Sequence, residues 1–577
     1  MHIRRHHLRF IGVFIVLIIC LAVFSVKLIL IQVFQSDHLS ALARKQHNHV
    51  VEIEPVRGTI YDRNHRPLAF NIPVYSLYAN PRAMTPREKR LAARRLAEIV
   101  ETSPEALARK LQKDKYFVWL KRKLSRDTKE AVDRLGLKGI GFRKESKRYY
   151  PNGALAAHVI GFAGMDNRGL EGIELAHDAE LRGKAGKKRI LRDARRRELM
   201  LGDEVIPPRD GFHLVLTLDE TIQYLVERAL QEAWQKYHAK SAGMIVMDTR
   251  TGEILAMANR PTYDLMNAQA SPVANRTNRV ISYVYEPGSV FKIVTAAAAL
   301  EEDAFREDEK IFCENGRYKV GSHILNDHKP YGELTFREVI EKSSNIGTVK
   351  VAQALGAEKI YKYGRRFRFG LRTGIDLRGE VAGSLKPPQR WSKVSISAIP
   401  MGHEVTVTPL QMLCALTAVA NDGLYMRPFV VKEILDRKGE TVRVFHPRVV
   451  DRVVSPQTAR RLTRILTGVV EHGTGRRAKI DGVPVAGKTG TAQKVVDGRY
   501  SHTAFYATFM GFAPADNPRL AAIVVLEEPR PQYYGGTVAA PVFQKVMADA
   551  LKYLRVKESE RPLVGVGDHR RSGEFSP

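Results

Sequence analysis

The sequence predicts a multidomain protein: an N-terminal transmembrane helix, a mixed α+β pedestal, and an α/β domain in which helices pack on an antiparallel sheet. Three observations carry this. A chain of 577 residues is too long for one compact domain. A strongly apolar run fills residues 10–34. After Pro207-Pro208 the pattern changes to strands, then helices, then strands, the order of a sheet covered by helices. The resulting division is 1–9 as a cytoplasmic tail, 10–34 as the anchor, 35–212 as the pedestal, 213–555 as the larger domain and 556–577 as a polar, disordered tail.

The anchor follows from length and flanking charge. Arg4, Arg5 and Arg9 precede Phe10–Phe34, which is interrupted by Ser25, Lys27 and Gln32. About 20 apolar residues cross a bilayer, so the run suffices. Basic residues before it, and no second long apolar run, predict a single pass with the N-terminus in the cytoplasm. Lys27 lies near the far end, where its long stem lets the ammonium reach the outer head groups. Ala41-Leu42-Ala43 resembles a signal-peptidase site, but the apolar run is longer than a cleaved signal needs and ends well before it. An uncleaved anchor in the cytoplasmic (inner) membrane is expected, with everything after about residue 35 extracytoplasmic or periplasmic.

Within the pedestal, Tyr75-Ser76-Leu77-Tyr78 reads as a strand. Apolar residues spaced among Arg, Lys and Glu between Thr85 and Leu137 read as amphipathic helices. Arg195-Arg196-Arg197 reads as solvated surface. No catalytic constellation is visible there. In the larger domain His213–Thr217 reads as a strand and Asp219 opens a helix to about Tyr237. Met244–Asp248 and Glu253–Met257 flank Thr249–Gly252 as a hairpin. Helical runs are expected near 289–302, 335–355, 409–421 and 456–471, strands near 504–512 and 520–527, and a last helix near 541–554.

Composition narrows the partners. The 44% hydrophobic content is ordinary for a chain that buries a core. With 92 Lys plus Arg against 62 Asp plus Glu, the formal charge of +30 favours anionic partners such as lipid head groups. No zinc-finger spacing or RNA-binding aromatic signature accompanies it, so nucleic acid is not expected. Cys20, Cys313 and Cys414 show no metal-ligand spacing; no metal and no cofactor are expected. The latter two allow at most one disulfide and read as small buried side chains.

Three short motifs carry chemistry. In Glu286-Pro287-Gly288-Ser289-Val290-Phe291-Lys292 the Pro-Gly pair makes a turn and the following alanines favour helix, placing Ser289 at a helix N-terminus. Lys292, three residues on, returns to the same face. A serine hydroxyl needs a base beside it. A lysine in an apolar pocket can act as one, because burial disfavours its charged form. Lys342-Ser343-Ser344-Asn345 offers a hydroxyl for proton relay and an amide to orient a peptide bond. Lys488-Thr489-Gly490-Thr491 offers a cation and hydroxyls on a strand edge for a carboxylate, with Gly490 permitting close backbone approach. Each alone also reads as a cap or turn. Together, in this order, they are the set found in penicillin-binding proteins and serine β-lactamases.

Over most of its length the chain resembles a class B penicillin-binding protein. Arg57-Gly58-Thr59-Ile60-Tyr61-Asp62-Arg63-Asn64, Phe117–Arg122, Arg148-Tyr149-Tyr150-Pro151 and Ala157–Phe162 resemble the pedestal motifs of that family. Gly169-Leu170-Glu171-Gly172-Ile173-Glu174 is similar to the septal, FtsI-like branch rather than the elongation branch. Gly511-Phe512-Ala513-Pro514 and Tyr533-Tyr534-Gly535-Gly536 also resemble the family. The resemblance implies a peptidoglycan D,D-transpeptidase, inhibited by β-lactams, whose Ser289 is acylated by the D-Ala-D-Ala end of a stem peptide. It implies Lys292 as acylation base and Ser343 and Lys488 as proton relays. Asn345 is implied to bind the peptide amide, Thr489 the terminal carboxylate, and backbone N–H groups of Ser289 and Thr491 to form the oxyanion hole. An amine of a neighbouring stem then takes the acyl group. With no glycosyltransferase domain before the pedestal, a multi-span FtsW-like polymerase and other division proteins are implied partners. The alternatives are an elongation-type transpeptidase, a β-lactamase, which usually lacks anchor and pedestal, and a β-lactam sensor, whose metalloprotease His-Glu-x-x-His is absent because His403-Glu404 lacks the second histidine.

Overall fold

A computed structural model describes residues 2–37, 48–192, 198–199, 205–321 and 323–559. Ala41–Ala43, Arg195–Arg197 and residues 560–577, each assigned a character above, lie outside the described residues. Two compact units are formed, one by residues up to Val56 with Gly183–Gly211, the other by Arg57–Arg182 with Phe212 onward.

The first unit holds the helix His2–Ile29, which continues as a π-helical turn, Leu30–Phe34. Among the described residues, Phe10–Phe34 is the one stretch long and apolar enough to cross a membrane, with mean hydropathy 3.1. Its large apolar side chains face outward, as those of a membrane-spanning helix would. The same unit has a small antiparallel sheet in which Gly186–Arg192 pairs with Asn48–Ile53, Glu198–Leu199 and Val205–Ile206.

In the second unit a seven-stranded sheet runs in the order Thr441–Val444, Val431–Leu435, His213–Leu216, Ile60–Tyr61, Pro67–Ala79, and the last of these pairs with both Val118–Leu124 and Ile140–Tyr149. The parallel pairing of Ile60 with Leu214 and Tyr61 with Val215 crosses the 212/213 boundary drawn on sequence. Helices Pro86–Ile99, Pro104–Leu111 and Arg126–Asp133 cover one end. Thr85 and Glu88 start the first with a reciprocal capping box, each side chain bonded to the other's backbone N–H. Their apolar faces bury Leu96, Leu107, Leu111 and Val132 against Leu77 and Leu120. The helical reading of Thr85–Leu137 is corrected at Val118–Leu124, which is a strand. Phe117-Val118-Trp119 favours the pleated backbone, and pairing with Pro67–Ala79 overrides the longer helical spacing.

The sheet that positions the site has five antiparallel strands, ordered Ile254–Arg260, Ser241–Asp248, Leu520–Glu527, Arg499–Ala513, Ala486–Val496. Both faces are covered. Met244 and Val246 pack with Ile222, Val226, Leu230, Phe543 and Met547 of the helices Glu220–Lys236 and Ala540–Ser559. Ile245 and Met247 point the other way, into a core shared with Lys292–Glu301, Pro409–Ala420 and Pro456–Glu471. Every residue of Leu520–Glu527 is buried, which explains its near-unbroken apolar run. The last helix extends past Arg555 to Ser559. Cys313 and Cys414 are buried and unlinked, and Cys20 lies on the apolar helix.

Candidate active site

Ser289 lies in a 3-10 turn, Gly288–Phe291, that leads directly into the helix Lys292–Glu301. The turn depends on two glycines. Gly288 has φ 58°, and its N–H donates to Gly402 O at 3.1 Å. A Cβ on Gly402 would sit 2.2 Å from Gly288 O, so only glycine lets these backbones meet. Ala297, Ala298 and Ala299 are fully buried, sinking the helix into the core and taking Lys292 with it.

Lys292 and Lys488 are both fully buried, and both reach Ser343. Lys292 Nζ donates to Ser343 O at 2.8 Å, to Asn345 Oδ1 at 2.8 Å and to Ser343 Oγ at 3.3 Å. Lys488 Nζ donates to the same Oγ at 2.9 Å and to Thr489 O at 3.2 Å. Ser343 bridges the two amines. Burial pushes the Lys292 ammonium down to about 7, partly opposed by the negative charge of Asp327. Burial, with the charge of Lys292 added, pushes Lys488 well below the usual lysine range. Two ammonium groups on one hydroxyl repel, so the pair favours losing a proton.

Ser343 occupies the left-handed region, φ 58°, between the helices Phe336–Glu341 and Asn345–Leu355, breaking the single helical run expected over 335–355. Asp327 supports this break. It accepts from Ser344 Oγ at 2.6 Å, from Asn345 N, and from Ile346 N at 3.2 Å, filling the open N-terminus of the second helix.

Lys488 to Thr491 lie on Ala486–Val496, the sheet's edge strand beside the serine turn. Thr489 Oγ1 is 2.6 Å from Thr474 Oγ1, and Thr491 Oγ1 accepts from Gly535 N at 3.1 Å. Gly490 permits close approach, but of the chain's own serine turn: a Cβ there would stand 3.1 Å from Pro287 O and from Val290 Cγ1. Ser289, Ser343, Asn345, Thr489 and Thr491 line one open cavity of about 800 Å³. Lys292 and Lys488 lie beneath its floor.

Asp327, Thr474 and His328 belong to this neighbourhood and were not legible as site residues. Asp327 and Thr474 act on the motifs from distant loops, with no local spacing to mark them. His328 lines the cavity, with burial lowering its basicity. His403, singled out above only for a missing metal motif, also lines the cavity, its Nδ1 3.0 Å from Glu286 Oε2.

A serine on a turn that opens a helix, sharing one cavity with Ser343, Asn345, Thr489 and Thr491 while two buried amines meet at Ser343, is the arrangement expected of a serine acyl-transferase. Residues 242–548 match the model of the penicillin-binding protein transpeptidase domain, and residues 52–216 that of the penicillin-binding protein dimerisation domain. The chain therefore belongs to the penicillin-binding proteins that join a dimerisation domain to a transpeptidase domain. It is 36% identical to stage V sporulation protein D of Bacillus subtilis, over 94% of this chain and 85% of that one. It is 34% identical to the peptidoglycan D,D-transpeptidase FtsI of Escherichia coli, over 91% and 88%. Among solved structures, penicillin-binding protein 3 of Mycobacterium tuberculosis complexed with aztreonam matches with TM-score 0.68 at 30% identity, covering 88% of this chain and 98% of that one.

Proposed function

We propose that this protein is a peptidoglycan D,D-transpeptidase that cross-links stem peptides through an acyl-enzyme on Ser289, acting in septal wall synthesis. The observation that carries the reading is the pair of buried lysines joined through Ser343. Neutral Lys292 takes the proton from Ser289 Oγ, which attacks the carbonyl carbon of the penultimate D-Ala. The C–N bond to the terminal D-Ala breaks, and that residue leaves as an amine with a proton relayed through Ser343 and Lys488. An ester on Ser289 remains. An amine of a second stem attacks the ester, the C–O bond breaks, and Ser289 regains its proton.

Asn345 orients the stem amide and Thr489 holds the terminal carboxylate, while the N–H groups of Ser289 and Thr491 stabilise the oxyanion. A β-lactam acylates the same serine. The apolar helix anchors the chain with its N-terminus inside and the catalytic domain outside the cytoplasmic membrane. There an FtsW-like polymerase supplies the strands. Similarity to FtsI supports the septal role over elongation. A fluorescent fusion accumulating at mid-cell in dividing cells is the expected result; uniform distribution along the side wall would move the role to elongation. Slow release of bound penicillin separates a transpeptidase from a β-lactamase.

A further inference from the structure

A second cavity, of about 420 Å³, lies in the same compact unit and shares no lining residue with the Ser289 cavity. Its polar wall is cationic: Arg122 and Lys123 come from one strand, Lys147 and Arg148 from another, and no carboxylate lines it. The lining also holds the apolar side chains Phe162, Met165, Leu265 and Met266, with the neutral amides Asn167, Asn267 and Gln269 among them. Leu265 and Met266 begin a 3-10 segment, Leu265–Ala270.

The cations are unequally satisfied. Arg122 pairs with Glu145 at 3.1 Å and Asp166 at 2.8 Å, and Lys123 pairs with Glu145 at 3.3 Å. Arg148 donates through Nε to Glu174 at 2.6 Å and through Nη1 to Gly58 O at 2.7 Å. Its Nη2 is buried with no hydrogen-bond partner. Glu174 is already engaged by Arg57 at 2.6 Å, so the carboxylate beside Arg148 is shared. Lys147, next in the chain, is exposed and forms no ion pair among the described residues. A buried guanidinium N–H left open is costly, and a folded protein rarely leaves one without an acceptor. Volume, a lining charge of one sign and apolar side chains in the same lining are those of a small-ligand pocket.

We propose that this cavity binds a carboxylate-bearing ligand of about dipeptide size, its carboxylate drawn to the cationic lining of Arg122, Lys123, Lys147 and Arg148 and an apolar side chain seated among Phe162, Met165, Leu265 and Met266. The planar, forked guanidinium suits a carboxylate better than a point charge would. The site is independent of the reaction assigned to Ser289. It joins residues from the dimerisation and transpeptidase regions, so occupancy bridges the two.

The test uses the full chain in detergent, pretreated with a β-lactam so that any response arises outside the Ser289 cavity. The probes are N-acetyl-Leu-Glu and its neutral counterpart, N-acetyl-Leu-Gln-amide, titrated by calorimetry. The acidic probe is expected to bind saturably and at least about tenfold more tightly than the neutral one, about 1.4 kcal/mol. Lys147→Glu, at an exposed position, and Ala270→Trp, which narrows the exposed rim, should each weaken it by about tenfold or more. Penicillin labelling of Ser289 in both variants verifies folding. Equal binding of the two probes, unchanged binding in both folded variants, or no saturable binding at millimolar concentration would overturn the assignment.

Discussion

In the proposed reaction Lys292 is the residue on which acylation turns, because a buried amine can be neutral near physiological pH and a guanidinium cannot. Lys292→Arg keeps the charge and loses the base, so penicillin acylation should fall by about a hundredfold or more, as far as in Lys292→Ala. The pH dependence has a definite sign. The base works only when unprotonated, and burial lowers Lys292 to about 7. The acylation rate constant should therefore decline as pH drops from 8 to 6 and level off above. A stopped-flow profile with a chromogenic β-lactam measures it; a rate flat across that window would remove Lys292 as the base.

At the scale of elements, the second motif sits in a break between two helices that Asp327 holds open. Asp327→Ala removes three acceptor contacts at the start of Asn345–Leu355. A loss of about 1–3 kcal/mol is expected, with slower acylation as Ser343 and Asn345 lose their positions. Thermal unfolding and labelling kinetics on one preparation check both; an unchanged rate would show that the break holds itself. This is also where sequence legibility ends. Ser289 and Lys292 could be paired because helical geometry makes neighbours of residues three apart. The link between Ser343 and Lys488 could be expected only from the order of motifs, since it spans two distant elements. Asp327 could not be found, because a cap delivered from a distant loop leaves no periodic trace. Val118–Leu124 departs from the helical expectation because the partner strand, not the local spacing, decides its conformation.

Over the whole molecule, the compact unit that carries Ser289 also contains Arg57–Arg182. Glu174, fully buried, is held by Arg57 Nε and Arg148 Nε at 2.6 Å each. Glu174→Ala would leave buried Arg148 without a carboxylate and Arg57 with Asp178 alone, and should destabilise that unit by about 3–5 kcal/mol. A clear drop in melting temperature is expected, and an unchanged one would show that the ion-pair network is dispensable. The apolar helix, in its proposed role as an anchor, makes a different contribution. If it raises the local concentration of the enzyme near nascent strands, a chain secreted without residues 1–34 should still bind penicillin yet fail to sustain division at normal expression. Full rescue by the untethered chain would refute the tethering argument.

The central claim is that Ser289 is the acylated nucleophile. Intact-protein mass spectrometry after penicillin treatment, followed by peptide mapping, tests it most directly. A single adduct on the peptide containing Ser289, absent from a folded Ser289→Ala protein, is the predicted result. An adduct that survives in Ser289→Ala, or that maps to another residue, would contradict it.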